Sequence, residues 1–266
     1  MSDILEELTA LRRADAAGLE AEVPFAEMMR RAAGAAPPRD FAAALRGGRA
    51  ETRRFRVIAE LKRASPSEGV IRTDFDAAAL ARGLEKAGAA ALSVLCEPHR
   101  FLGGEAYLRA ARRETGVPLL FKDFVSSRYQ IAAARAAGAD AVLLIAAVLD
   151  DAALADLLAF AGGLGMAALV ETHCGDEISR AVDSGAAVVG VNCRNLRDFS
   201  CDTGLLERLV GDIPETCVRV AESGMRDAAS VRRVRDAGAD AFLVGTALMR
   251  AASPARMLET ILGNLH

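Results

Sequence analysis

The sequence predicts an α/β chain, a (β/α)8 TIM barrel with an N-terminal helical extension, on three observations. First, eight short apolar runs recur between residues 57 and 245, separated by Ala-, Leu- and Arg-rich stretches of helical periodicity. Second, Ala137-Gly138-Ala139-Asp140-Ala141 returns as Ala237-Gly238-Ala239-Asp240-Ala241, with weaker copies at Ala87-Gly88-Ala89-Ala90-Ala91 and Ser184-Gly185-Ala186-Ala187. Each copy falls where a helix should end and the next strand begin, and glycine suits a helix C-terminus. Repeats about two βα units apart favour a closed barrel over an open doubly wound sheet. Third, polar and charged residues collect at one end of the apolar runs. A Rossmann sheet would want Gly-x-Gly-x-x-Gly after its first strand, and residues 57–69 have none.

Taken in order, residues 1–50 read as two or three short helices, broken around 34–38 and at Gly47-Gly48. About fifty residues make a marginal core alone, so they are expected to pack on the barrel, with 1–266 forming one domain. The first strand is predicted at 57–62, where Val57, Ile58 and Ala59 lead into Glu60 and Lys62 before a turn at Ser65-Pro66-Ser67. Period-two alternation puts Ile58, Glu60 and Lys62 on one face. Charges seldom occupy a buried face unless they are paired or working. Further strands are predicted at 91–96, 118–122, 141–146, 167–171, 188–192, 218–222 and 241–245, with helices such as 75–87, 127–137 and 228–237 between them.

Composition narrows the function classes. Hydrophobic residues make up 52% of the chain and charged residues 26%, enough to fill a large core and stay in solution. A net charge of −3, no basic run and no Trp argue against a nucleic-acid partner. No apolar run approaches membrane-span length, and the acidic start (Glu6, Glu7) lacks a signal-peptide pattern, so a cytoplasmic protein is expected. The five cysteines (96, 174, 193, 201 and 217) follow no CxxC spacing, and His99, His173 and His266 complete no ligand set, so no metal is expected.

In a (β/α)8 barrel the active site lies at the C-terminal ends of the strands. Those ends here supply Glu60 and Lys62 (strand 1), Lys122 (strand 3), Glu171 (strand 5), Asn192 followed by Arg194 (strand 6), and Glu222 (strand 7). Lysines among glutamates in a desolvated mouth have shifted pKa values and exchange protons with substrate. Ser223-Gly224 after strand 7 and Gly245-Thr246 after strand 8 offer backbone N–H groups and hydroxyls. Phosphate-binding barrels hold phosphate there.

The motif Ile-Ala-Glu-Leu-Lys-Arg-Ala-Ser-Pro-Ser-Glu-Gly at 58–69 resembles the first-strand signature of the indole-3-glycerol phosphate synthase family. So do Leu92-Ser93-Val94-Leu95-Cys96-Glu97, Phe121-Lys122-Asp123-Phe124, Leu169-Val170-Glu171-Thr172-His173, Gly190-Val191-Asn192-Cys193-Arg194-Asn195-Leu196, Ala221-Glu222-Ser223-Gly224 and Phe242-Leu243-Val244-Gly245-Thr246-Ala247-Leu248-Met249. The resemblance implies ring closure, decarboxylation and dehydration of 1-(2-carboxyphenylamino)-1-deoxyribulose 5-phosphate to indole-3-glycerol phosphate, in tryptophan biosynthesis. It implies no cofactor and a monomer. It also implies roles: Lys122 as general acid on the ribulose carbonyl, Glu171 as general base, Lys62 on the substrate carboxylate with Glu60 orienting it. Asn192 and Glu222 would contact hydroxyl or amino groups. Ser223, Gly224, Gly245 and Thr246 would hold phosphate, Ser65 and Arg194 would be nearby polar contacts, and Phe101 and Phe124 would flank the anthranilate ring.

The chain departs from the family pattern at Cys96, Gly103-Gly104, Glu68, Cys193 and Thr246. Cys96 and Cys193 read as small buried hydrophobes. Two other readings stay open. One is another phosphosugar barrel enzyme such as phosphoribosylanthranilate isomerase, which expects a Cys base where this strand 1 has Glu60 and Lys62. The other is the same reaction serving a specialised tryptophan-derived pathway. A non-catalytic descendant would have lost Lys62, Lys122 or Glu171, and all three are present.

Overall fold

Period-two burial shapes this chain. Eight strands, buried almost throughout, alternate between an inner apolar set and an outer set that packs under helices. In the computed structural model, which describes residues 4–46, 56–194, 200–225 and 227–263, they are β1 Arg56–Leu61, β2 Ala91–Leu95, β3 Leu119–Lys122, β4 Ala141–Ile145, β5 Ala167–Thr172, β6 Val188–Asn192, β7 Val218–Glu222 and β8 Ala241–Val244. All pair in parallel and in sequence order. β1 closes the ring, with Ile58 opposite both Leu243 of β8 and Ala91 of β2. The barrel forms as predicted, with several strand ends one residue from expectation. Lys62 lies just past β1 instead of on it.

The outer layer comprises α4 Ala77–Lys86, α5 Glu105–Glu114, α6 Arg128–Ala136, α7 Asp151–Gly163, α8 Gly175–Asp183, α9 Thr203–Leu209 and α10 Ala228–Asp236. After β8 come the short α11 Thr246–Arg250 and α12 Pro254–Gly263. Asp76, Ser127, Asp150, Asp202 and Asp227 cap the starts of α4, α6, α7, α9 and α10 with side-chain oxygens. The repeated Ala-Gly-Ala-Asp has two jobs. Its glycine turns the chain off the helix, Gly138 at φ 97° and Gly238 at φ 114°. Its aspartate then ties the barrel floor, Asp140 accepting from Leu119 N at 2.7 Å and Asp240 from Arg219 N at 2.9 Å.

Among the described residues, three helices precede β1: α1 Ile4–Glu22, α2 Phe25–Gly34 and α3 Phe41–Leu45. The first is longer than expected, because no proline interrupts it before Pro24. The predicted break at Gly47-Gly48 lies outside the described residues. α1 reaches the mouth, where Arg12 grips Asp123 just past β3 (Nη2 to Oδ2, 2.7 Å) and Glu7 accepts from Arg100. α2 covers α6, which is why Tyr129 to Arg135 are all buried. α3 seats Phe41 and Leu45 in the inner core, while Arg39 N reaches Asp140. The extension thus runs along the barrel from mouth to floor. No helix among the described residues is long and apolar enough to cross a membrane.

Candidate active site

Inward alternation carries Glu60, Lys122, Glu171, Asn192 and Glu222 to the open end of the barrel. Register keeps them level: Asn192 pairs with Glu222 across β6 and β7, and Ile145 with Glu171 across β4 and β5. They line an open cavity of about 770 Å³, counted out to its solvent-facing rim. Lys62, Ser65, Phe101, Phe124, Arg194, Ser223 and Thr246 line it too. Gly224 and Gly245 do not; they sit behind Ser223 and beside Thr246. Leu95, Leu143, Ile145 and Leu243 form its apolar floor and wall, and Asp123, Pro66 and Ser67 reach it as well.

Two glycines make room for the carboxylates. A Cβ on Gly190 of β6 would stand 2.2 Å from Glu222 Oε1, and one on Gly245 would stand 2.3 Å from Glu60 Oε1. Real Cβ atoms do not approach oxygen so closely. Each glycine is therefore the slot into which a neighbouring glutamate folds. For Gly245 this is a different role from the phosphate contact that the resemblance implies.

Lys122 is clamped. Its Nζ donates to Glu171 Oε2 at 2.9 Å and to Glu222 Oε2 at 3.1 Å, with both carboxylates buried. Burial alone would push the ammonium down, but Glu171, Glu222 and Glu60 outweigh it and hold Lys122 well above its ordinary pKa. The two glutamates diverge. Burial raises Glu171, but Lys122, His173 and a hydrogen bond from Asn192 bring it down to about 2. Burial raises Glu222 to about 7, with the negative charge of Glu171 adding to the rise and Lys122 opposing it. The pair thus holds one shareable proton near neutrality, preferentially on Glu222. On the β1 side Lys62 Nζ lies 2.8 Å from Glu60 Oε1.

The aromatic end is built by loops. Glu97, wholly buried, accepts from the N–H groups of His99, Arg100 and Phe101 at 2.6, 2.7 and 2.8 Å, winding the loop after β2 so that Phe101 faces Phe124 with ring centroids 6.4 Å apart. At the opposite end Ser223 adopts φ 64°, a left-handed conformation uncommon for a residue with a Cβ. Arg194 N donates to Asn192 Oδ1 at 3.0 Å.

Cys193 is buried, as expected, but it is also disulfide-bonded to Cys201, where the chain returns as a bridge opposite Arg194, a link not expected from the sequence. The spacing matched no known motif, and only the return of the chain brings the sulfurs together. Cys96 is free and buried, as expected. In the sequence His173 completes no metal set, and no pattern there points to Glu177, Glu97 or Gly190. The Glu97 and Gly190 positions fall within motifs quoted above, but motif position alone does not show what each touches.

A family model described as indole-3-glycerol phosphate synthase matches residues 5–261. The indole-3-glycerol phosphate synthase of Micrococcus luteus is 46% identical over 256 residues, covering 96% of each chain. That of Azoarcus sp. is 45% identical over 99% of this chain and all of its own, and indole-3-glycerol phosphate synthase 1 of Streptomyces coelicolor is 45% identical over 94% and 91%. Among solved structures, the 3-hexulose-6-phosphate synthase of Salmonella typhimurium superposes with a TM-score of 0.64 at 15% identity, covering 79% of this chain and 98% of that one. The orotidine 5'-phosphate decarboxylase of Pyrococcus horikoshii does so with 0.60 at 15%, over the same shares. These two share the fold. With a family model spanning nearly its whole length and relatives at this identity, the chain belongs to the indole-3-glycerol phosphate synthase family, carboxy-lyases of tryptophan biosynthesis that act on a small phosphorylated substrate.

Proposed function

We propose that the mouth divides the reaction between a proton-delivering lysine and a proton-accepting glutamate, with the two ends of the substrate held apart. The observation that carries this is the clamp of Lys122 between Glu171 and Glu222. Ring closure needs a proton at the ribulose carbonyl oxygen as the carboxylate-bearing ring carbon attacks the carbonyl carbon. Lys122 is kept protonated at neutral pH by its two carboxylates and delivers that proton. Loss of carbon dioxide from the same ring carbon returns the bonding electrons to the ring. Lys62, braced by Glu60, holds the carboxylate until it leaves. Dehydration then breaks the C–O bond: Lys62, released once carbon dioxide has gone, gives a proton to the departing hydroxyl, which leaves as water, and Glu171 takes the proton from the adjacent ring carbon as the indole double bond forms.

Holding both ends fixes the reacting atoms between them. Phe101 and Phe124 flank the aromatic ring on the β2–β3 side. Ser223 and Thr246, with the amides of Gly224 and Gly245, take the phosphate on the β7–β8 side. The left-handed Ser223 supports this, since such backbone conformations gather at ligand sites. Asn192 and Glu222 meet the hydroxyl and amino groups between, with Ser65 and Arg194 at the rim. We read residues 1–266 as one catalytic unit with 1–50 as its extension, which the Arg12–Asp123 ion pair beside Lys122 supports. We also read it as a cytoplasmic monomer. The large exposed hydrophobics among the described residues, Leu19, Val70 and Leu102, lie on three separate segments.

The test is turnover of 1-(2-carboxyphenylamino)-1-deoxyribulose 5-phosphate followed by indole fluorescence. Lys122→Met and Glu171→Gln should each abolish it while circular dichroism stays unchanged. Near-wild-type turnover by either variant removes that residue from its role.

A further inference from the structure

His173 follows Glu171 by two residues, just past β5. Between them Thr172 turns outward and donates to Gly190 O at 2.8 Å, and His173 comes back toward Glu171. The ring is seated from behind by α8. Glu177 Oε2 accepts His173 N–H at 2.7 Å and lies 3.3 Å from ring Nδ1. The other ring nitrogen, Nε2, is buried, has no hydrogen-bond partner among the described residues, and stands 3.5 Å from Glu171 Oε1. That is the carboxylate oxygen that Lys122 does not use.

This contact answers a question that Lys122 leaves open. Its ammonium sits almost equally far from Glu171 and Glu222, at 2.9 and 3.1 Å, so by itself it hardly decides which carboxylate carries the charge. The surroundings of the second oxygens do differ. Glu222 Oε1 is buried with no hydrogen-bond partner among the described residues, whereas Glu171 Oε1 faces the imidazole. We propose that His173, seated by Glu177, is a positioning residue that keeps Glu171 the anionic member of the pair and leaves their shared proton on Glu222.

The charged groups facing the imidazole are Glu171 from β5, Glu177 from α8 and Glu222 from β7, with Lys122 of β3 beyond Glu171. Burial disfavours the imidazolium, but the three carboxylates outweigh it and raise its pKa above the ordinary value. The same geometry agrees with the low position of Glu171 and the high one of Glu222. The inference rests on the reading of Glu171 as base.

The experiment is a pH profile of kcat and KM for the full-length enzyme and His173→Gln, from about pH 5.5 to about pH 8.5. Below the upper ionisation of the pair, the variant should share the proton with Glu171. Its kcat at about pH 5.5 should then fall to about a third of the wild-type value or lower, with KM little changed and kcat near wild type at about pH 8.5. Glu177→Gln should move the profile in the same direction by less. A merely structural role would lower kcat by the same factor at every pH, and that result, or an unmoved profile, overturns the proposal. A second readout needs no turnover. The chain has three histidines, so the imidazole Cε1–H signal of His173 is assignable by its loss in His173→Gln. In the wild type it should titrate above the ordinary histidine range, and in Glu171→Gln its pKa should fall. A titration indifferent to Glu171→Gln refutes the contact. If the titration shifts while Glu171→Gln retains turnover, the contact stands and the base assignment is what fails.

Discussion

Replacing Gly190 with alanine tests the central geometry of the mouth. The new Cβ would lie 2.2 Å from Glu222 Oε1 and 3.1 Å from Leu169 Cδ1. Ordinary contact is about 3.4 Å or more, so the carboxylate must retreat by roughly 1 Å. Its other oxygen is 3.1 Å from Lys122 Nζ, at the long end of a good hydrogen bond, so the same retreat breaks that bond. A lost charge-assisted hydrogen bond in a buried site costs about 1.5–3 kcal/mol, equivalent to a drop in Tm of roughly 5 °C for a chain of this size. Misplacing the clamp by about 1 Å should lower kcat by on the order of a hundredfold. Melting curves and steady-state kinetics of Gly190→Ala measure both effects. The decisive comparison is with Glu222→Ala, which removes the obstructing oxygen. In that background Gly190→Ala should be nearly neutral for stability, giving a coupling of about 1.5–3 kcal/mol in the double-mutant cycle. Additive effects, or wild-type Tm and kcat for Gly190→Ala, would show that the glycine is not the slot for Glu222.

Further expectations concern the two ends of the substrate, the buried pair and the cysteine bridge. Thr246→Val should mainly raise KM, because phosphate is held alike in ground and transition states; an equal loss in kcat alone would contradict a phosphate role. Glu222 has a folded pKa raised to about 7 from an ordinary 4.5, so the native state binds the extra proton and stability falls as pH rises from 4.5 to 7. At the top of that window its contribution is a destabilisation of about 3 kcal/mol, and Glu222→Gln should flatten the pH dependence of Tm there. Glu171 runs oppositely: its pKa is lowered to about 2, so its stabilisation is present above 4.5 and is lost as pH falls from 4.5 to 2. The Cys193–Cys201 bridge closes a short loop, worth about 2.5 kcal/mol by the loop-entropy relation, so reductant should lower Tm in the wild type and leave Cys201→Ser unmoved. In a reducing compartment the two sulfurs stand as thiols, and the tether belongs to the oxidised protein.

The barrel was legible because two local rules agree along the whole chain. Apolar runs of five or six residues gave the strands, and the glycine of each Ala-Gly-Ala-Asp copy gave the helix ends, so even strand limits came within a residue or so. The mouth was legible for the same reason: Glu60, Lys122, Glu171, Asn192 and Glu222 occupy inward positions at strand ends, where alternation is most dependable. Lys62 shows where that rule stops. Alternation puts it on the inward face of β1, but the strand ends at Leu61, and what brings Lys62 to Glu60 is the 2.8 Å ion pair. The features that stayed hidden all depend on what the next segment supplies. Gly190 in a strand signals only weak β propensity until β7 places the Glu222 oxygen in its empty Cβ position. Cys193 finds Cys201 only because the chain returns opposite Arg194. His173 faces Glu171 only because Glu177, four residues on and one turn into α8, turns the ring. Alternation thus tells which residues enter a barrel mouth, but the protonation state each one holds there is set by neighbours that no period in its own strand records.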